Sequence, residues 1–369
     1  MADFHSLQVS QIDRLTDQAV KVTLDIPNEL ADSFSFLPGQ YITLDVVVGD
    51  EKVRRSYSLC SAPSIQGSIS VGVKEIPNGK VSPVLNRQIK VGDSIECMPP
   101  MGNFTWTKEA QGSAHVVLIG GGSGITPLLS IATTILESNE SSKVSLIYGN
   151  KNGDSIMFSE DIKAFEQQYS SRFEVIHVFD QPRKKKGLFS SKTMETIPHK
   201  EGLISKSLLL GLLNSMNVST DSAHFYICGP SPMMRSCQQA LKNIEVSDER
   251  IHVEFFTEKT DEDKQAALLG DSDGAFDGKA MVQIQLDGNN QSIEVEERDT
   301  VLNAALDNGI DAPYACMVGA CNTCKAKLVK GQIEMDDQTA LLPKEVEEGY
   351  ILTCQSHPKS SYIEVDYDA

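Results

Sequence analysis

Residues 316–324 read CMVGACNTC, and a fourth cysteine, Cys354, follows thirty positions after Cys324. Cys316, Cys321, Cys324 and Cys354 thus form a C-x4-C-x2-C run with one distant thiol, while the first three hundred residues hold only four more cysteines. Thiolates are soft anionic donors, and four of them in this spacing suit two ferric ions joined by two sulfides. A tight loop supplies three of the donors and leaves its backbone N–H groups free to bond the sulfurs and tune their potential. Gly319, Ala320 and Thr323 are small enough to let that backbone come close. Two other uses fit less well. Zinc sites usually pair two C-x2-C knuckles, and one is present here. A dithiol built on CNTC would leave Cys316 and Cys354 without a purpose. The spacing predicts metal ligation by all four, as a 2Fe–2S cluster.

Other segments have the residue types for binding phosphates and flat rings. In RRSYSLCSAP (54–63), strand alternation puts Arg55 and Tyr57 on one face, a cation and an aromatic ring projecting together. NGKVS (78–82) offers Gly79, Val81 and Ser82 ahead of an apolar helical segment, a seat for a pyrophosphate at a helix start. GGGSGITP (120–127) is a strand–glycine–helix turn in which Gly121, Gly122, Gly124 and Thr126 stand where a pyrophosphate would approach. It is not a strict G-x-G-x-x-G, because Ile125 replaces the third glycine. YICGPSPMM places Cys228 and Gly229 at a strand end, where Cys228 reads equally as a small buried hydrophobe.

These segments need elements to hold them. Residues 1–110 alternate short β-like runs with Gly, Pro and Asn turns, which predicts a small antiparallel barrel closed by PPMGNF (99–104). From His115 buried strands (HVVLI, KVSLIYGN, RFEVIHVFD, AHFYICGP) alternate with helical stretches, as in a parallel α/β sheet over 111–257. Residues 258–278 are acidic and weakly periodic, a linker with at most a helical turn at KQAALL. In the last segment, 279–369, two alternating runs flank DGNN as a hairpin. TVLNAALDNG follows as a helix, with Thr300 as cap and Gly309 near its end.

Composition excludes several classes of function. A net charge of −18 argues against nucleic acid, whose binding rests on neutralising phosphates. From Phe276 onward 17 acidic residues face 7 basic ones, so a quarter of the chain carries −10, which suits either a basic partner surface or plain solubility. MADFHSLQVSQIDR has acids and no apolar run, and the most apolar stretch, LLLGLLNSM, is too short for a bilayer. A cytoplasmic chain with reduced thiols and no membrane contact is therefore expected.

Residues 280–369 resemble plant-type ferredoxins, including LTCQSHP around Cys354. Residues 1–257 resemble the ferredoxin–NADP reductase superfamily: Arg55, Tyr57 and Ser58 match its R-x-Y-S motif, and Gly79 and Ser82 match its G-x-x-S motif. The resemblance implies that Arg55 and the 79–82 segment hold flavin phosphates, Tyr57 packs on the isoalloxazine, and the Ser58 hydroxyl lies near flavin N5. It also implies that Cys228 and Gly229 neighbour the nicotinamide, and that Phe255 or Phe256 of VEFF covers the flavin. Ser58 and Cys228 are thereby the candidate catalytic residues. The order of the segments is that of reductase components of multicomponent oxygenases, and the whole chain resembles the reductase-subunit family of phenylacetyl-CoA epoxidase. The implied architecture has an antiparallel β-barrel FAD domain, a parallel α/β NAD(P)H domain and an α+β (β-grasp) 2Fe–2S domain. The implied function is electron transfer from NAD(P)H through FAD to the cluster and on to a protein acceptor, by a monomer or within a complex. FAD is favoured over FMN. A stand-alone reductase of small acceptors, and a reductase for another hydroxylase or desaturase, stay open as alternatives.

Three further features bear on function. Glu174/His177 and Glu249/His252 are both E-x-x-H pairs, but their β-rich surroundings put positions three apart on opposite faces, against a di-iron site. RKKKG (183–187) reads as a solvated loop, with a cofactor 2′-phosphate contact or a docking patch as the sharper alternative. After YGN, Lys151 and Asn152 come where a ribose would fall, and the first acid is Asp154, which leans towards NADPH.

Overall fold

The computed structural model describes residues 4–107, 112, 114–186, 191–256, 276 and 278–369. The 258–278 linker expectation lies outside the described residues, save Phe276 and Gly278. The chain divides into two compact units, one of Phe4–Val53 with Tyr57–Phe256 and one holding Arg54–Ser56 together with the C-terminal segment to Ala369.

The first unit opens with β1 (His5–Thr16), β2 (Ala19–Asp25), β3 (Tyr41–Val48), β4 (Glu51–Ser58), β5 (Ser68–Lys74) and β6 (Ser94–Cys97), in the sheet order β4-β3-β6-β1-β2-β5. Just beyond β4, Leu59 bridges antiparallel to Val71 of β5, so the two ends of the sheet meet and it closes as a barrel. Strand alternation fills the inside: Val20, Val22 and Leu24 of β2 are buried with Leu7, Val9, Ile42 and Leu44. The short helix α1 (Val81–Arg87) adds Val81 and Leu85 to the same core. Met101 of PPMGNF pairs with Tyr41 at the start of β3.

The same unit continues with β7 (His115–Gly121), β8 (Lys143–Asn150), β9 (Phe173–Phe179), β10 (Lys184–Lys186), β11 (Ser191–Thr193), β12 (His199–Glu201), β13 (His224–Gly229) and β14 (Ile251–Phe255). Runs such as VVLIGG are apolar without alternation because both faces of a parallel strand are covered. The sheet order is β12-β9-β8-β7-β13-β14, with every pairing parallel. Helices α2 (Ile125–Ser138) and α3 (Ser159–Gln168) bury Leu128, Ile131, Ile135 and Ile162 on one face. Helices α4 (Lys206–Ser215) and α5 (Ser231–Asn243) bury Leu209, Leu212, Cys237 and Leu241 on the other. The chain runs outward from β7 to β12, then returns to build β13 and β14 on the opposite side. The order therefore reverses between β7 and β13, and at such a point a crevice opens beyond the strands' carboxyl ends. The basic run departs from the loop reading: Lys184–Lys186 are the strand β10, paired antiparallel with β11. A backbone ladder accepts lysines as readily as other exposed residues, so charge alone does not forbid a strand. Residues 187–190 are outside the described residues.

In the second unit β15 (Lys279–Leu286), β16 (Asn289–Glu296), β17 (Lys325–Lys330), β19 (Tyr350–Leu352) and β21 (Tyr362–Asp366) form a sheet ordered β16-β15-β21-β17-β19. A small pair, β18 (Ile333–Met335) with β20 (Ser356–Pro358), stands apart from it. The β15–β16 turn carries Asp287 and Gly288 at φ +51° and +71°, the conformation a tight hairpin needs at both central positions. Helix α6 (Val301–Asp307) starts where the Thr300 hydroxyl accepts the Asn303 N–H (3.2 Å), and Gly309 at φ +77° ends its last turn. It packs Val301, Leu302 and Ala305 onto Val282, Ile284, Ile363 and Val365, so the sheet grips one helix. A second short helix, α7 (Pro343–Glu347), follows. Among the described residues no helix is long and apolar enough to cross a membrane.

Candidate functional site

Strand β4 carries Arg55, Tyr57 and Ser58 towards the carboxyl end of the barrel. Arg55 is half-buried and donates to the Arg54 carbonyl (2.7 Å), and no acidic side chain pairs with it among the described residues. An unpaired guanidinium held by its own backbone is ready for an anionic ligand. Tyr57 leans one side of its ring on the barrel core and stays half-exposed. The 78–82 turn is shaped by its glycine: a side chain on Gly79 would begin 3.0 Å from the Ile76 carbonyl and 3.0 Å from Ser82 Oγ. Ser82 is buried and its hydroxyl accepts the Ile76 N–H (3.0 Å), while Val81 sinks into the barrel. Lys80, between them, pairs with Glu51 at the start of β4 (3.2 Å), which brings this turn beside the strand that carries Arg55. An arginine without a carboxylate partner and a tight Gly–Ser turn fit a flavin's phosphates.

Ser58 and Cys228 meet around a third residue. The Ser58 hydroxyl donates to Glu254 Oε2 (3.2 Å), and Glu254 of β14 is in register with Cys228 of β13. All three are buried. Burial first, and then the charge of Glu254, pushes the Cys228 thiol well above its ordinary range, so it stays protonated. A hydroxyl, a carboxylate and a thiol buried together can hold and orient a proton beside a reacting ring. Sequence reasoning misses Glu254. Its only signal is an acid inside the apolar run VEFF. The side chain of Phe255 lies outside the described residues, and Phe256 is half-buried against the core between barrel and sheet.

The glycine turn after β7 packs tightly on the turn after β13. A side chain on Gly124 would begin 2.1 Å from the Cys228 carbonyl oxygen, one on Gly121 2.6 Å from Pro230, and one on Gly229 2.9 Å from Gly121. Gly121, Gly124 and Gly229 thus have a packing role: they let two strand ends close on each other across the reversal point. Thr126 is buried too, with its hydroxyl donating to the Ser123 carbonyl (3.0 Å) and its methyl against Gly72 of the barrel. Gly122, at φ +54°, turns the other way. Its carbonyl accepts the Tyr148 hydroxyl (2.9 Å), and Lys74 Nζ lies 3.4 Å from where a side chain on it would begin.

Lys74 is the second residue the sequence does not single out. It has no carboxylate partner among the described residues, and burial, followed by the charge of Lys151, lowers its pKa. Asn150, at the end of β8, is buried with neither polar atom of its amide satisfied among the described residues. In a chain of net charge −18, a largely buried ammonium beside a strand-end glycine turn, with a second lysine close enough to act on its pKa, calls for an anion, as a dinucleotide's phosphates would supply. Asp154 instead pairs with Arg183 (2.6 Å), which also holds Glu195 (3.1 Å). The E-x-x-H pairs stay apart as expected in β9: Glu174 accepts from Ser145, while His177 lies against Tyr148.

The four thiols converge in the second unit. Cys321, Cys324 and Cys354 are buried and Cys316 is partly so. Cys316 and Cys321 share a hydrogen bond between their sulfurs (3.1 Å), and Cys324 and Cys354 make the second hydrogen-bonded pair. The loop's N–H groups point at sulfur: Val318 N–H donates to Cys316 (3.5 Å), and Gly319 N–H bonds Cys354. Gly319 takes φ +70°, and a side chain there would begin 3.0 Å from both Asp337 and Gln355. Within each pair the shared proton splits the two thiols. The bond from Cys316 draws Cys321 down to about 6, and the bond from Cys324 lowers Cys354, while Cys316 and Cys324 rise. Four sulfurs gathered in two hydrogen-bonded pairs, with amide donors already aimed at them, fit a cluster.

A barrel with an anion-ready strand, a dinucleotide crevice and a four-thiol loop define an iron–sulfur flavoprotein reductase. Family models match as an oxidoreductase FAD-binding domain over residues 6–106, an oxidoreductase NAD-binding domain over 118–239, and a 2Fe-2S iron-sulfur cluster binding domain over 284–359. The chain is 35% identical over 370 residues, 100% of its length and 99% of the relative's, to a subunit of 1,2-phenylacetyl-CoA epoxidase from Escherichia coli (strain K12). It is 30% identical over 98% of its length, and 96% of the relative's, to the ferredoxin reductase component of 3-ketosteroid-9-alpha-monooxygenase of Rhodococcus rhodochrous. Phthalate dioxygenase reductase, a modular structure for electron transfer from pyridine nucleotides to [2Fe-2S], shares the fold with a TM-score of 0.59 at 21% identity, over 98% of both chains. The chain belongs to the family of oxygenase reductase components, oxidoreductases with FAD, NAD and 2Fe–2S domains.

Proposed function

We propose that this chain supplies electrons from NAD(P)H to an oxygenase that acts on phenylacetyl-CoA. The observation that carries the reading is the match, over the full length of both chains, to a component of 1,2-phenylacetyl-CoA epoxidase. The chain works as a cytoplasmic protein, as a monomer or within a complex with its acceptor. Its domains span 1–110 (FAD), 111–257 (NAD(P)H) and 279–369 (2Fe–2S), with 258–278 between the last two.

When bound, the nicotinamide delivers electrons in pairs, the flavin divides them, and the cluster relays them singly. The protein's part is placement and electrostatics. Arg55, with the Gly79–Ser82 turn around Val81, holds the flavin phosphates, and Tyr57 packs on its ring. Ser58, oriented by Glu254, sits at the reacting edge of that ring, and Cys228 with Gly229 bounds the nicotinamide. Gly121, Gly122, Gly124 and Thr126 form the turn beneath the dinucleotide, and Lys74 with Lys151 neutralises its phosphates. Phe255 or Phe256 covers the flavin, and Cys316, Cys321, Cys324 and Cys354 ligate the cluster.

The test is reconstitution. The purified reductase is mixed with the oxygenase encoded beside it, NADH or NADPH, and phenylacetyl-CoA. Nucleotide oxidation should depend on the oxygenase and yield oxygenated thioester in proportion. Fast turnover with free quinones or dyes, and no stimulation by that oxygenase, would instead mark a stand-alone reductase.

A further inference from the structure

Residues from the cluster loop to the carboxyl end form a chain of donors. The Tyr367 hydroxyl donates to Thr353 Oγ1 (2.8 Å), and that hydroxyl donates to the backbone carbonyl of Cys324 (3.0 Å). Thr353 N–H reaches the same carbonyl oxygen (3.2 Å), so two donors converge on one ligand's peptide group. Thr353 has no solvent exposure. The tail that carries Tyr367 is fixed on both sides. Tyr367 N–H donates to the Gln285 carbonyl (3.0 Å), and the Asp368 carboxylate accepts the N–H groups of Asp287 (2.8 Å) and Gly288 (2.9 Å) at the β15–β16 turn. Nothing in the core requires that hydroxyl: a phenylalanine would fill the same space.

We infer that Tyr367 is a positioning residue for the iron–sulfur centre: acting through Thr353, it orients and polarises the Cys324 peptide and raises the centre's reduction potential. The inference rests on the four-cysteine ligand set proposed above. Reduction adds a negative charge to the centre. The two aligned O–H dipoles present their positive ends towards the Cys324 peptide and favour that charge. Hydrogen bonds in series polarise one another, so removing the outer hydroxyl weakens the inner bond as well. Hydrogen bonding around the ligands is one of the main controls on such potentials.

The test is an anaerobic reductive titration of the full-length holoprotein, with the cluster followed by its paramagnetic resonance signal and the flavin by its visible band. Tyr367→Phe should make one-electron reduction of the cluster about threefold less favourable, a fall of ~28 mV at ~59 mV per decade, and leave the flavin midpoint unmoved. Thr353→Val should lower the cluster midpoint at least as far, Tyr367→Phe should add nothing in that background, and Thr353→Ser should keep the native value. If Thr353→Val fails to assemble a centre, the Tyr367→Phe and Thr353→Ser midpoints decide. A native midpoint in Tyr367→Phe overturns the inference, as does an undiminished shift in the Thr353→Val background. Absence of iron and of a cluster signal in the native protein overturns the ligand set and the inference together.

Discussion

Lys74 sets two demands against each other. Its ammonium is withdrawn from water at the end of β5 and feels the charge of Lys151, which costs stability, yet the position beside Gly122 suits an incoming phosphate. Because its folded pKa lies below the ordinary 10.5, the folded protein binds fewer protons than the unfolded chain in that interval. The nucleotide-free protein should therefore gain stability as pH rises from the lowered pKa towards 10.5, where the unfolded chain still holds a proton that the folded one has lost. Lys74→Met should remove this dependence without lowering the melting temperature. It should also raise KM for NAD(P)H about tenfold while kcat with ferricyanide stays within about twofold, the mark of a lost binding contact. An unchanged KM would remove Lys74 from the dinucleotide site.

At the scale of elements, the β7 and β13 turns meet in a tight backbone-to-backbone joint within the first unit. Gly124→Ala places a methyl group 2.1 Å from the Cys228 carbonyl oxygen, a backbone atom with no freedom to step aside. The expected loss is about 2–4 kcal/mol by denaturant unfolding, with weakened dinucleotide binding, as for other forced overpacking. The sheet also carries a buried histidine, His177, and a half-buried one, His252. Burial, and then a neighbouring histidine, holds His177 and His252 to about 4, against 6.5 in an unfolded chain. Below 6.5 the unfolded chain takes protons that the folded sheet refuses, so stability falls as pH drops from 6.5 to about 4, by up to about 3 kcal/mol for each. His252→Phe keeps a ring against Tyr226, where His252 now stacks at 4.3 Å. A flatter acid limb in its pH–stability curve would bear this out, and an unchanged one would assign the acid sensitivity elsewhere.

For the whole molecule, the four clustered cysteines lie in the 2Fe–2S domain, apart in sequence from the FAD- and NAD-binding domains. Cys324→Ser removes one of the four clustered thiols of the second unit. It should abolish oxygenase-dependent turnover, by more than about a hundredfold, and leave NAD(P)H-to-ferricyanide reduction near the native rate. Loss of both reactions in a folded, yellow protein would show that the flavin does not deliver electrons without the cluster.

How much of this is legible depends on whether a group's partners are local. Cys316, Cys321 and Cys324 share one loop, so their spacing predicts metal ligation, whereas Arg55, Tyr57 and Ser58 on one strand and Gly121 to Thr126 in one turn are local motifs whose roles the family resemblance implies. Strand alternation likewise yields the barrel, and unbroken apolar runs the buried parallel sheet. RKKKG escapes that reading because a strand edge tolerates charge. Glu254 reaches Ser58 across 196 residues, Lys74 meets Gly122 only when the barrel packs on the sheet, and Tyr367 finds Thr353 through the closing strand β21. Those contacts depend on strand order and register, which no local spacing encodes. The sequence therefore singles out the candidate cofactor-binding groups, because their spacing is local, and the tertiary structure decides which distant side chains lie against them.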